Sequence, residues 1–303
     1  MEFQTLKADA CYCFHGPVNI GYIRQGERGM LIDAGIDAST MKRVLKMLKQ
    51  DRLPITHLFI THAHSDHYGG ASYLQKQADV HTIAPILETA ILQHPILEPL
   101  YLFGGNDPLS ELRNKFLEGA PVRVDQSIGE GSWEVDGFQF ETIHLPGHSY
   151  FQLGLLFEGI LYAGDSYFGE SQLRKHKIPF MTDTKQAIES LEKLQNVKCE
   201  GAVPGHGGFE KDFQPTIKAN LSYHQQLLDW LEKEITNEPA GITHEAIVAR
   251  MCAHYQVSAP QLSQWLLFRT AVTAYLTALL RQRKVIGSVD EFRWVFKKNE
   301  DVS

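Results

Sequence analysis

Thr61-His62-Ala63-His64-Ser65-Asp66-His67 stands directly after a short apolar strand predicted over His57–Ile60. Three imidazoles and one carboxylate fall within six consecutive positions. A lone buried histidine is usually a structural residue, but a cluster this dense is a ligand set. Neutral imidazole and carboxylate are what divalent zinc takes where no thiolate is offered. On a tight loop His62 and His64 can point to one side while Asp66 and His67 point to another. That division suits two metals better than one.

Working outward, three more candidates follow predicted strands, each beside glycine: Pro146-Gly147-His148-Ser149, Gly164-Asp165-Ser166 and Pro204-Gly205-His206-Gly207. Strand ends are where layered α/β structures assemble sites from distant pieces of chain. Each motif alone is weak; together with the first cluster, in this order, they are specific.

Over residues 1 to about 215 the sequence resembles the metallo-β-lactamase superfamily. The motifs are Asp33 in Leu31-Ile32-Asp33-Ala34-Gly35, the His-x-His-x-Asp-His cluster, His148, Asp165 and His206. The resemblance implies an α/β fold, a four-layer αββα sandwich with metals at one edge of its two sheets. It implies that His62, His64 and His148 hold one metal, that Asp66, His67 and His206 hold a second, and that Asp165 bridges them. Asp33 would brace the metal loop without ligating. The expected cofactors are two zinc ions, with iron or manganese admissible in the same ligands. True dinuclear zinc β-lactamases commonly place a Cys where this chain has Asp165. The set looks more like the glyoxalase II, lactonase and RNA-processing branches.

The implied chemistry is hydrolysis. Two metals ~3.5–4 Å apart share a hydroxide and lower its pKa towards ~7. Asp66 would orient this nucleophile and take up its proton, which makes it the catalytic candidate. A small ester, thioester or lactone is the expected substrate. Two other readings are a metal-dependent endoribonuclease and a mononuclear iron enzyme of the persulfide dioxygenase type. Tyr68, Tyr150 and Tyr167 flank ligands in sequence and are candidates for substrate contact, through a hydrogen bond to a developing oxyanion or as pocket wall. Neither the glutathione-binding spacing nor the lactonase tyrosine three residues past the bridging Asp is found; Phe168 stands there.

Composition agrees with a soluble globular protein. The chain has 303 residues, 43% hydrophobic and 21% charged, with a formal net charge of -7. Such a chain can bury a large core without disulfides. The acidic balance argues against a broad nucleic-acid footprint. No apolar run approaches the ~18 residues that span a bilayer. The N-terminal stretch MEFQTLKADA lacks the pattern of a signal peptide, so a cytoplasmic location is expected. Cys11, Cys13, Cys199 and Cys252 read as reduced thiols. Alternation places Cys11 and Cys13 on one face of a strand.

Two further regions stand out. Residues 86–121 carry several prolines and a Gly104-Gly105 pair, yet are rich in Leu, Tyr and Phe. They read as a partly helical insertion that faces either substrate or the core. Composition changes after about Pro215, and residues 216–303 read as a second domain. Helices are predicted over Leu221–Ile235, Thr243–Tyr255 and Gln261–Arg281. Thr243 is the cap of the second, with Ile242 and Ile247 as a hydrophobic staple. A hairpin around Gly287–Glu291 follows, giving a winged-helix order. From residue 240 on, eight Lys and Arg stand against five Asp and Glu. That excess is mild, so the expected partner is a small molecule rather than nucleic acid or membrane. The second domain reads as one that packs or dimerises and walls the pocket.

Overall fold

The structure is a computed structural model, and it describes residues 1–301. The first sheet has seven strands in sequence order: β1 (Glu2–Lys7), β2 (Cys11–His15), β3 (Ile20–Gln25), β4 (Arg28–Ile32), β5 (His57–Phe59), β6 (His81–Pro85) and β7 (Gln126–Ile128). Pairing is antiparallel from β1 to β4 and parallel from β4 to β7. The second sheet runs β12-β11-β10-β9-β8, from β8 (Gly131–Val135), β9 (Phe138–His144), β10 (Leu153–Phe157), β11 (Ile160–Gly164) and β12 (Gly201–Pro204). Only β11 and β12 pair in parallel within it.

Alternation along the strands explains the layering. In β2, Cys11 and Cys13 enter the core between the sheets, while Tyr12 and Phe14 face the outer helices. In β4, Met30 and Ile32 point inward and Leu31 outward. Phe138, Phe140, Leu153, Leu155 and Tyr162 complete the inner core from the second sheet. Helices α1 (Ala38–Gln50) and α3 (Ala71–Gln77) cover the first sheet, through Met41, Val44, Leu48 and Leu74. The short helix α2 (Ser65–Tyr68) lies between them in sequence. On the far side, α6 (Glu170–His176) and α7 (Thr184–Leu194) follow β11, and Leu191 and Leu194 of α7 pack on the second sheet. The result is the expected αββα sandwich. Asp37 and Asp183 cap α1 and α7 by accepting the Thr40 and Gln186 N–H groups.

The 86–121 segment connects β6 to β7 and holds α4 (Glu88–Gln93), α5 (Leu97–Leu102) and a 3-10 turn at Ser110–Leu112. Its apolar side chains divide between the core and a cavity. Leu92 packs on the core of the first sheet, whereas Phe116 and Leu117 line a cavity.

Helix α8 (Gln214–Thr236) begins seven residues before the predicted Leu221, because Pro215 sits in its first turn, where proline costs nothing. Phe213 and Ile217 pack on the second sheet, while Leu227, Leu228, Leu231 and Ile235 enter a separate core. That core is shared with α9 (His244–His254) and α10 (Leu262–Arg281). Thr243 caps α9 through the Ala246 N–H, and Ile242 and Ile247 meet in the same core. A three-stranded sheet follows in the order β13-β15-β14, from β13 (Ile242–Thr243), β14 (Val285–Asp290) and β15 (Arg293–Lys298). The expected hairpin forms from β14 and β15, and its turn lies at the far end of the predicted stretch, at Glu291-Phe292, both with positive φ, while Gly287 lies inside β14. Gly287 is spent on a close approach instead: a Cβ there would sit 2.9 Å from Trp294 Nε1.

Candidate metal centre

All four motifs converge at one edge of the two sheets. The His62–His67 loop leaves β5, the His148 loop leaves β9, Asp165 follows β11 and His206 follows β12. Asp33, at the end of β4 with φ 66°, organises the first loop. Its Oδ1 accepts the Thr61 N–H at 2.8 Å, and its Oδ2 accepts Thr61 Oγ1 at 2.9 Å and His67 Nδ1 at 2.8 Å.

These second bonds set which ring nitrogen each imidazole presents. Thr61 gives its proton to Asp33, so His62 Nδ1, 3.0 Å from Thr61 Oγ1, must donate and Nε2 is bare. His148 Nδ1 donates to the Phe180 carbonyl at 3.0 Å, leaving its Nε2 bare. His206 Nδ1 donates to the Pro17 carbonyl at 2.8 Å. His64 Nδ1 lies 3.0 Å from His62 Nε2 and 2.8 Å from His148 Nε2. Only His64 can carry a proton towards the other two, so lone pairs converge on a point. This is a donor set made for a cation.

Asp165 joins this group to the next. Its Oδ1 lies 3.3 Å from His67 Nε2, and its Oδ2 lies 3.4 Å from His148 Nε2 and 3.3 Å from His206 Nε2. Asp66 Oδ2 is 3.4 Å from His206 Nε2. His67 Nε2 and Asp165 Oδ1 are buried and have no hydrogen-bond partner among the described residues. Three overlapping triads can therefore hold metal: His62-His64-His148, His62-His67-Asp165 and Asp66-His67-His206. The residues fit the implied metals, and none of the triads uses a cysteine. Cys11 and Cys13 are buried between the sheets, where burial pushes the Cys11 thiol up to about 12.

Electrostatics separate the groups. Burial, reinforced by neighbouring imidazoles, pulls His148 down to about 3 and His62 well below the usual range. Burial also pulls His64 down to about 4. These rings stay neutral and available. For His206 burial opposes protonation, but the Asp165 and Asp66 carboxylates outweigh it and raise the ring to about 10. His67 rises likewise, against burial, through Asp165 and Asp33. Burial would raise Asp66, yet His67 and His206 hold it down at about 2. Protons on His67 and His206 thus balance the carboxylates where no cation does.

Backbone geometry admits this crowding only with glycine. Gly147 has φ 127°, and a Cβ on it would fall 2.4 Å from the Ala187 backbone.

Several residues of the site were not anticipated. Glu88, the first residue of α4, is buried. Its Oε2 accepts the Ala63 N–H at 2.9 Å, and its Oε1 accepts Ser149 Oγ at 2.8 Å and the Phe151 N–H at 2.9 Å. One carboxylate therefore ties the His62–His67 loop to the His148 loop. Gln152 Oε1 accepts the Asp165 N–H at 3.0 Å. Asn19 Nδ2 donates to the Pro204 and Gly207 carbonyls and so fixes the His206 loop. The buried Glu98 carboxyl, 3.9 Å from His64 Nε2, is pushed up to about 8 by burial.

A cavity of about 930 Å³ opens onto the cluster. His64, Asp66, His148, Asp165 and His206 reach it, with Phe116, Leu117, Phe168, Phe180 and Leu267 as apolar lining. The three tyrosine candidates do not line it. Tyr68 points into the core of the first sheet, where its oxygen accepts the Gly119 N–H. Tyr167 is buried against Phe213 beneath the second sheet. Tyr150 projects into solvent at 68% exposure. Phe168, the next residue after Tyr167, takes the pocket position instead.

Comparison with known proteins agrees with this geometry. The family model described as the metallo-β-lactamase superfamily matches residues 14–206. The lactamase-like protein adaB of Aspergillus niger is 24% identical over 223 residues, covering 71% of this chain and 59% of that protein. An atrochrysone carboxyl ACP thioesterase of Aspergillus fumigatus is 23% identical over 205 residues, covering 66% of this chain and 54% of that one. The chain thus spans less than two thirds of either relative. Among solved structures, a β-lactamase domain protein from Burkholderia ambifaria superposes with a TM-score of 0.73 at 15% identity, covering 98% of this chain and 93% of that one. With its fold, its converging ligand loops and a family match over most of its length, the chain belongs to the metallo-β-lactamase superfamily.

Proposed function

We propose that this chain is a metal-dependent hydrolase of small esters, foremost thioesters, with two zinc ions as its cofactors. The observation that carries the reading is the apolar cavity that ends on the seven-residue cluster. A relative named as a thioesterase supports the choice of substrate. In this reading His62, His64 and His148 would hold one metal, Asp66, His67 and His206 the other, with Asp165 shared between them. The metals would polarise a carbonyl and lower the pKa of an attacking water. Asp66, whose carboxylate reaches the cavity, would orient the water and take up its proton. Asp33, Glu88 and Gln152 keep the ligand loops in place. Phe168 and Phe180 exclude bulk water beside His148.

The described residues of the 216–303 domain form, in this reading, a winged-helix-like unit that completes the pocket of the 1–215 catalytic unit, since Gln264 and Leu267 of α10 line the cavity. Leu102, Leu112 and Leu117 of the insertion pack on Leu266 of the same helix.

Replacing Asp165 with Ala tests the assignment. Turnover of a panel of thioester, lactone and aryl ester should disappear and metal should be lost on dialysis. Activity and metal content equal to wild type would remove Asp165 from the centre.

A further inference from the structure

The cavity has charges at its rim that the metal chemistry does not use. Arg43 of α1 and Lys175 of α6 both line it, and both are exposed. Neither makes an ion pair or a side-chain hydrogen bond among the described residues. The acidic groups of the same cavity are engaged. Asp37 caps α1 and binds Lys115 at 3.1 Å, and Glu98 is turned into the wall, where it accepts the Tyr101 hydroxyl. Asp66 and Asp165 belong to the metal cluster. Two unpaired cations therefore stand on separate walls of a chamber whose remaining lining is largely apolar.

The two helices present these cations in the same way. On α1, Ser39, Thr40 and Arg43 lie on one face towards the cavity; on α6, Gln172, Lys175 and His176 do. Each charge sits a helical turn along from a shorter polar residue. At about 930 Å³ the cavity is near the upper end of the usual size for small-molecule sites, larger than a short ester fills.

Resting on the thioester reading above, we infer that the substrate is an acyl thioester of a phosphate-bearing thiol of the phosphopantetheine kind. Its acyl chain lies against Phe116, Leu117 and Leu267, and its phosphate is held between Arg43 and Lys175. The acyl group thus meets a wall built jointly by the insertion and α10. The cations bind a part of the substrate that does not react, so they act on KM and leave kcat nearly unchanged.

The test compares two thioesters of one acyl group: octanoyl-coenzyme A and the neutral S-octanoyl-N-acetylcysteamine. Wild type and the double variant Arg43→Glu, Lys175→Glu are assayed on both, with Arg43→Gln, Lys175→Gln as the milder control. For octanoyl-coenzyme A, KM should rise about tenfold in the charge-reversed variant and less in the neutral one. Wild-type KM for that substrate should also rise between low and high salt. KM for the neutral thioester should stay within about twofold of wild type. Octanoyl-phosphopantetheine on an acyl carrier protein serves as a further arm. A lower wild-type KM there than for octanoyl-coenzyme A identifies the protein-bound carrier as the source of the phosphate, and the reverse identifies the free coenzyme. If both thioesters are hydrolysed and the variants leave every KM unchanged, the phosphate site is wrong and thioester hydrolysis stands. If no thioester is hydrolysed while a lactone or aryl ester is, the thioester reading falls and this inference with it.

Discussion

A Cβ placed on Gly205 would lie 1.9 Å from Asp165 Oδ1. It would also lie 2.8 Å from the Cε1 atom of His67. The glycine before His206 is therefore the space into which the Asp165 carboxylate fits. Gly205→Ala should displace Asp165, since the β12 backbone is held by the sheet and by the Asn19 N–H to Gly205 carbonyl bond at 2.8 Å. A misplacement of about 1 Å at a reacting centre costs roughly 100-fold in rate. We expect that loss in kcat, with metal content reduced and circular dichroism unchanged. A Gly205→Ala protein with wild-type turnover would show that Asp165 has room to retreat.

Glu88 offers a separate handle on the metal loops, because its hydrogen bonds go to Ala63, Ser149 and Phe151 and not to a ligand side chain. Its carboxylate accepts three hydrogen bonds. Glu88→Gln keeps the shape but turns one acceptor into a donor facing donors, at a cost of about 1–3 kcal/mol. Outer partners of this sort typically change metal affinity by about 10- to 100-fold. Zinc affinity, measured by chelator competition, should fall within that range. Affinity and melting temperature both equal to wild type would mean that the two loops hold themselves in place.

The second core carries a pH-sensitive group distant in sequence from the metal cluster. His224 is buried, bonds the Tyr275 hydroxyl at 2.7 Å, and is pulled by burial from 6.5 down to about 4. The unfolded chain takes up this proton near pH 6.5 and the folded chain only near 4. His224 therefore contributes stability that is fully present above pH 6.5 and is lost as pH falls from there towards 4. The loss between pH 7 and pH 5 is on the order of 2 kcal/mol. Urea unfolding of His224→Gln should show a shallower decline over that interval than wild type. Parallel declines in the two proteins would contradict the assignment.

The seven cluster residues and the sandwich were legible because the ligands come in short, glycine-flanked motifs that each follow an apolar strand. The structure brings all seven together, and it gives Asp33 the bracing contacts that the resemblance implied. What escaped the sequence depended on contacts across the fold. Glu88 is a lone acid in an apolar stretch, and only the approach of the 148–151 loop gives it a task. The tyrosines were placed by adjacency to ligands, yet neighbouring residues can face opposite ways, as Tyr167 and Phe168 do. The hairpin turn at Glu291-Phe292 carries none of the Asn-Gly or Asp-Gly chemistry that marks such turns. The change of composition after about Pro215 does not show that this proline sits in the first turn of α8, where a helix tolerates it.

The central claim is that these seven side chains hold two metals that hydrolyse a carbonyl ester. Elemental analysis of protein purified without chelator, beside thioester hydrolysis on the same sample, tests it most directly. About two zinc ions per chain are expected, with turnover that falls as they are removed. About one iron per chain, with a silent hydrolysis panel, would contradict it.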